Sequence, residues 1–371
     1  MGHAMRNGVA LLAVLASLVL VDMPSAALIP DPDARPRLPG SFVERSGTRL
    51  LLDGRPYRFT GLNVYNANSI DNCWYTLGKT RAGLNKSLVQ MGPGIEAFRA
   101  WFFQSQATSN GERDWSAFDH TLEVARNRGF RVVATLVNQW GQCEGWDAYA
   151  DGYKTESWYR TGYKTLPTSP GMSATYRDWV AQVVNRYRDH PAILGWQLVN
   201  EAEAKTSYDG SCSSTAPETL KAFAADMASL VKSIDSNHLL SLGTIGTGQC
   251  GATGEDYKSL HSVPGIDLCE YHDYQHGALP SDEWNGLATR LRQCGELGKP
   301  LFVGELGIET PAIGGHLGRA GTLRGKLTAQ FAAGVVGVLA WNWRDAAHGG
   351  ASDSGYAIGP GDPALDVLGA Y

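Results

Sequence analysis

The feature that most constrains this chain is a repeat. Eight times, a short apolar run of β-branched and aromatic residues ends in glycine or polar residues, and a stretch with helical spacing usually follows. The runs are Tyr57–Val64, Ile95–Phe102, Arg131–Val137, Ile193–Val199, Leu239–Ile245, Ile266–Tyr271, Pro300–Val303 and Gly337–Trp341. Between them, Asp114–Arg128 places Trp115, Phe118, Leu122 and Ala125 on one helical face, and Gly129 ends it. Met172–Arg188 does the same with Tyr176, Trp179, Val180, Val183, Val184 and Tyr187, ahead of Pro191. Pro217–Ile234, Ser281–Leu297 and Thr322–Ala333 are further helices by the same spacing. Strands alternating with helices imply a parallel sheet with right-handed crossovers. Eight such units imply an α/β fold, a (β/α)8 TIM barrel in a single domain. The rival is an open doubly wound sheet, which would carry a ligand loop at its switch point. Neither GxGxxG after the first run nor GxxxxGK[ST] occurs.

The ends and the composition narrow the setting. Arg6 precedes the apolar run Val9–Val21, and Ser25-Ala26-Ala27 offers a cleavage site, so 1–27 is a secretory signal peptide by pattern. That run is too short for a spanning helix. Residues 28–40 form a proline-rich leader, and 41–371 the barrel domain. The reading is of a secreted, monomeric protein, free of the membrane after signal cleavage. A net charge of -5 argues against nucleic acid. Export makes the six cysteines candidates for disulfides. No CxxC or HExxH spacing occurs, so neither a metal nor a cofactor is expected.

In a barrel of this kind catalytic residues lie at the C-terminal ends of the strands. Those positions here are Asn63, Tyr65 and Asn66; Arg99 and Trp101; Asn138, Gln139 and Trp140; Asn200 and Glu201; His272, Asp273 and Tyr274; Glu305; and Trp341, Asn342 and Trp343. Glu201 and Glu305 form a carboxylate pair at one rim, which retaining glycoside hydrolysis needs: one attacks the anomeric carbon, the other protonates the leaving oxygen and then activates water. Taken singly, each could be a helix N-terminal acid or a solvated loop residue. Spacing along the chain does not distinguish retention from inversion. Arg99 would favour the charged form of the nucleophile. On this reading Glu305 is ionised and Glu201 begins protonated.

At these residues the chain resembles glycoside hydrolase family 5, of the large retaining (β/α)8 clan, and within it the fungal and plant endo-β-1,4-mannanases. The stretch YRDWVAQVVNRYRDHPAILGWQLVNE resembles their fourth unit, VKSIDSNHLLSLGTIG their fifth, VNQW their third-strand end and WNW their eighth-strand end. The resemblance implies that Glu201 is the acid/base and Glu305 the nucleophile, and that Asn200 binds the substrate 2-hydroxyl. It places Arg99 near the nucleophile, Tyr274 orienting it and His272 lining the site. Trp341 would lie under the cleaved sugar, and Trp140 and Asn138 would face substrate from the third strand. One departure is that Glu201 is followed by Ala202 where the family has proline, which leaves Glu203 as a spare acid, read as a loop ion-pair or sugar-contact residue. Another is that the sixth-strand loop, HDYQHGALPSDEW, is short for a mannanase.

With the cysteines placed on this barrel, the expected pairs are Cys73–Cys143, Cys212–Cys250 and Cys269–Cys294. The reading is therefore a secreted retaining β-glycoside hydrolase acting on a polysaccharide, mannan or glucomannan first. The alternatives are another β-glycan such as a glucan, exo action or transglycosylation, and, in a different class, a sugar-binding barrel without catalysis.

Overall fold

The computed structural model describes residues 38, 40–69, 83–146, 149–344 and 355–371. Signal segment 1–27 lies outside these residues, as does the leader apart from Leu38 and Gly40. The eight runs form eight strands of one sheet: β1 (Phe59–Asn63), β2 (Ala97–Trp101), β3 (Arg131–Thr135), β4 (Ile193–Gln197), β5 (Leu239–Ser241), β6 (Cys269–Asp273), β7 (Leu301–Gly307) and β8 (Gly337–Trp341). Their order is β5-β4-β3-β2-β1-β8-β7-β6, all parallel. The ends of the sheet meet at a parallel bridge between Ser241 and Leu268, so it nearly closes into a barrel. Every residue of β1 to β7 is buried. Helices cover one face and side chains fill the other, which is why these strands read as unbroken apolar runs.

Two strand ends run further than the sequence implies. β6 continues through His272 and Asp273, and β7 through Glu305 to Gly307. Polar residues at an apolar run's end look like loop, but here His272 and Glu305 enter a polar layer of the barrel, while Asp273 turns out to Lys326 and Gln330 on the helix Gly315–Ala332. The register shifts at Tyr271/His272 and again between Val303 and Leu306. Such irregularities re-aim side chains beside active sites.

The helices begin where caps allow. The helix expected from Met172 starts at Tyr176, because Thr175 Oγ1 accepts from the Asp178 amide at 3.1 Å. The one expected from Ser281 starts at Leu287, because Asp282 Oδ1 takes the amides of Trp284 and Asn285 in a tight turn. The one expected from Thr322 starts earlier, at Gly315.

An antiparallel sheet of Val43–Ser46, Arg49–Leu52 and Arg55–Tyr57 precedes the barrel. Its Val43, Leu50 and Tyr57 pack with Phe59, Ala97, Leu239 and Phe302, which lie at or next to the first residues of their strands. The small sheet therefore plugs the N-terminal mouth and leaves the C-terminal rim open. Disulfides Cys212–Cys250 and Cys269–Cys294 form as expected. The pairing expected of Cys73 falls outside the described residues. Among the described residues no helix is long and apolar enough to cross a membrane.

Candidate active site

Just below the rim the barrel interior is polar. β1 contributes Asn63, β2 Arg99, β3 Thr135, β4 Gln197, β5 Ser241 and β6 Glu270, all buried. Arg99 spreads its guanidinium among four acceptors: Glu305 Oε1 at 2.8 Å, Asn63 Oδ1 at 2.9 Å, Gln197 Oε1 at 2.9 Å and Asn200 Oδ1 at 2.5 Å. A planar fork can hold several acceptors in fixed directions, which a lysine could not do. Glu270 accepts from Gln197 Nε2 and from Ser241 Oγ at 2.7 Å, and His272 Nε2 lies 3.2 Å away.

Above this layer stand the two rim glutamates. Glu201 sits where the chain leaves β4, with φ of 63°. That left-handed conformation is uncommon for a side chain with a Cβ. It turns the carboxylate towards Trp140 Nε1, which donates at 2.5 Å, and His272 Nδ1 at 2.8 Å. The loop beyond is tied down. The Ala202 amide donates to the Gly243 carbonyl at 3.0 Å, a bond the family's proline could not make. Glu203 accepts from Tyr153 Oη at 2.9 Å and the Cys250 amide at 3.3 Å, so it serves as a loop tether.

Glu305 on β7 accepts from Arg99 at Oε1 and from Tyr274 Oη at Oε2, 2.6 Å away, and His272 Nδ1 is 3.6 Å from that same Oε2. Gly307 makes room for Tyr274, because a Cβ there would run into the tyrosine ring. One ligand atom each from Glu201, His272 and Glu305 lie within 4.8 Å of one another. The two carboxylates therefore stand near the retaining separation of about 5–5.5 Å and closer than the about 6.5–9.5 Å that inversion needs. The spacing would also suit a cation, but Glu305 is already paired with Arg99, and His272 would have to give up its Nδ1 proton to ligate.

The electrostatics follow from this crowding. Burial acts to lower the basicity of His272, but Glu305, Glu201 and Glu270 outweigh it and push its pKa to about 10. It is an imidazolium at neutral pH. Burial likewise acts upward on Glu201, and the hydrogen bond and charge of His272 with the Trp140 N–H hold it below the ordinary carboxylate range. Glu305 is pushed up, by burial first and by Glu201, against the pull of His272, Arg99 and Tyr274. Two cations face three carboxylates here. These directions run opposite to the sequence expectation: the donors His272 and Trp140 favour the charged form of Glu201, and burial beside Glu201 disfavours that of Glu305.

The cleft over these groups has a volume of about 740 Å³. Of the rim positions read from the sequence, Tyr65, Trp101, Trp140, Asn200, Glu201, Tyr274, Glu305, Trp341 and Asn342 line it. Trp341 stacks on Tyr65 with ring centres 5.4 Å apart. Arg99 and His272 are buried behind the carboxylates they contact. Asn138, expected to touch substrate, is buried too: its Oδ1 accepts from Asn200 Nδ2 at 2.9 Å and from the Trp140 amide at 3.3 Å. It holds two cleft residues in place. Sequence reasoning passed over Tyr208, Arg344 and Tyr356, which also line the cleft, and Gln197 and Glu270 beneath it.

A parallel eight-stranded barrel with paired carboxylates at this separation on its C-terminal rim defines a retaining glycoside hydrolase. Comparison with known proteins specifies it further. The chain belongs to glycosyl hydrolase family 5, whose sequence model, described as Cellulase (glycosyl hydrolase family 5), matches residues 53–346. It is 27% identical over 355 residues to mannan endo-1,4-beta-mannosidase 1 of Oryza sativa subsp. japonica, covering 81% of this chain and 78% of the relative. It is 28% identical over 316 residues to a probable mannan endo-1,4-beta-mannosidase C of Aspergillus terreus, covering 75% of each. Its fold superimposes on the endo-1,4-beta-mannanase of Rhizomucor miehei with a TM-score of 0.69 at 20% identity, over 88% of this chain and 97% of that one.

Proposed function

We propose that this protein is an exported endo-β-1,4-mannanase working by double displacement, with Glu305 as nucleophile and Glu201 as acid/base. The observation that carries the mechanism is the close carboxylate pair with distinct partners, Arg99 and Tyr274 on one and His272 and Trp140 on the other. In the first step Glu305 attacks the anomeric carbon while Glu201 gives its proton to the leaving oxygen and the glycosidic bond breaks. In the second, Glu201 takes a proton from water, the water oxygen bonds the anomeric carbon, and Glu305 leaves. His272 Nδ1, 2.8 Å from Glu201 Oε1, holds the carboxyl in place while that proton is given up and regained. Asn200, fixed between Arg99 and Asn138, faces the cleft where a 2-hydroxyl would lie. Trp341 supplies a platform for the sugar ring, and Trp140 and Tyr208 a wall on the Glu201 side.

Mannan is the substrate named for the rice and Aspergillus relatives. The apolar run Val9–Val21 and the two disulfides support export, with 1–27 removed, 28–40 as leader, and 41–371 working as a monomeric domain. The test is digestion of mannan, glucomannan, β-glucan, xylan and galactan by the mature protein beside Glu305→Ala and Glu201→Ala. A ladder of manno-oligosaccharides lost in Glu305→Ala is expected. Glu201→Ala should retain its first step only on substrates with good leaving groups. Cleavage of another glycan would replace the substrate, and turnover surviving Glu305→Ala would remove the nucleophile.

A further inference from the structure

Glu270 has no part in the two steps above, yet it lies in the same network. It is fully buried within β6 and sits two residues before His272, on the same side of the strand. Burying a carboxylate is costly unless its oxygens are met by donors. Here Gln197 and Ser241 meet two of its acceptor positions, and the third partner is the ring of His272. The neighbouring strand is shaped around it. A Cβ on Gly304 would run into Glu270 Oε1 and lie 3.1 Å from His272 Nε2, so glycine immediately before Glu305 leaves the space this contact occupies.

We propose that Glu270 is a positioning residue for the reaction: its carboxylate takes the Nε2 hydrogen of His272, which keeps both ring nitrogens protonated and the Nδ1 hydrogen directed at Glu201. A neutral imidazole has one N–H and one bare nitrogen. With no carboxylate at Nε2 the single hydrogen could settle there, leaving Nδ1 a lone pair facing the oxygens of Glu201 and Glu305. With Glu270 in place, both nitrogens face carboxylates, and the cation is the form that satisfies both sides.

The charged and titratable groups around this pair are these. Glu201 after β4, Glu305 on β7 and Glu270 on its own strand face His272. Arg99 on β2 reaches it through Glu305. Around Glu270 stand Gln197 on β4 and Ser241 on β5, and from the helix Glu255–His261 come Tyr257, whose hydroxyl bonds the Glu270 carbonyl, and His261, which burial keeps neutral with a pKa of about 4. None of these supplies a second anion on the Nε2 side. The high basicity of His272 is in keeping with this enclosure.

The inference rests on the assignment of Glu201 and Glu305, and its test is separable from theirs. The direct measurement is the ¹⁵N spectrum of the His272 ring in the native protein at pH 8, assigned by comparison with His272→Gln. Hydrogens on both nitrogens are expected, and a neutral tautomer overturns the proposal. The second measurement is the pH profile of kcat/KM for Glu270→Gln. Removing one close anion should move the His272 titration and the basic limb of the profile down together by about 1–3 pH units, with KM little changed. Glu270→Asp, which keeps the charge, should return the limb towards its native position. A Glu270→Gln enzyme whose limb and His272 titration stay put, with activity lost only in step with Tm, would show a structural role and overturn the proposal. If Glu270→Gln does not fold, the native spectrum decides. Turnover in Glu305→Ala would instead defeat the nucleophile assignment, whatever the state of His272.

Discussion

Replacing Arg99 with methionine removes a fully buried guanidinium and leaves Glu305 buried without its ion-pair partner. Breaking such a pair from one side costs about 3–5 kcal/mol, because an uncompensated charge stays behind. The other acceptors lose less. Gln197 Oε1 keeps the Thr135 hydroxyl at 2.6 Å, and Asn200 keeps its bond to Asn138. Orphaned Asn63 and Asn200 oxygens bring the total to about 5 kcal/mol. With an unfolding entropy of ~2.1 cal/mol/K per residue over about 330 residues, that is a Tm lower by about 7 °C.

The cost must depend on pH. Glu305 is already raised by burial and by Glu201, and losing Arg99 removes one of the influences opposing that rise. A carboxyl whose folded pKa exceeds its unfolded value makes the fold weaker as pH rises from the unfolded value through the folded one. The deficit of Arg99→Met relative to native should therefore be larger at pH 8 than at pH 5, where Glu305 can neutralise itself by taking a proton. Calorimetry of both proteins at the two pH values measures this. Activity should fall about 10²–10³-fold, as when one preorganised donor is removed, and Arg99→Lys should recover part of the Tm but little of the activity, since one ammonium cannot reach four acceptors. A Tm loss below about 2 °C, or one equal at both pH values, would refute the argument from buried charge.

Trp140→Phe removes the N–H bonded to Glu201, so kcat/KM should fall about 10–100-fold, by loss of a hydrogen bond to a charged group. Ala202→Pro should destabilise the protein by about 1–3 kcal/mol although it restores the family's residue, because the Gly243 carbonyl loses its donor; a Tm at or above native would contradict the assigned bond. The Glu156 carboxylate, although burial acts upward, is held down to about 2 by Ser213, Thr215, Thr219 and Arg160. Its contribution is present above an unfolded value of about 4.3 and lost as pH falls through 2, so Tm measured against pH should drop over that window less steeply in Glu156→Gln than in the native protein.

How far the sequence discloses this molecule depends on which force sets each feature. The strands are legible because burial on both faces demands apolar residues without interruption, and Ile193–Gln197 or Arg131–Thr135 carry that demand openly. The N-terminal plug shows in turn chemistry, not in apolar runs: Asp53-Gly54 between short strands is a hairpin signal, and both residues take positive φ, at 52° and 73°. The ends of β6 and β7 are concealed for a different reason. His272 and Glu305 look like loop residues when hydrophobicity alone defines a strand, and only the polar layer formed by distant strands makes them strand residues.

The same layer explains what the sequence conceals about the site. Glu201 and Glu305 are visible because each interrupts a pattern at a strand's end. Asn138 interrupts one as well, yet its side chain turns inward to hold Asn200, and nothing local distinguishes a residue that touches substrate from one that holds another residue in place. Glu270 gave a signal of its own, a carboxylate between Cys269 and Tyr271 in an apolar run, one pleat from a histidine. A charged residue there is tolerable only if the fold brings donors to it from other strands. A buried charge inside a predicted strand therefore points to a network closed by contacts distant in sequence. In this barrel the network is the one that fixes where His272 holds its protons.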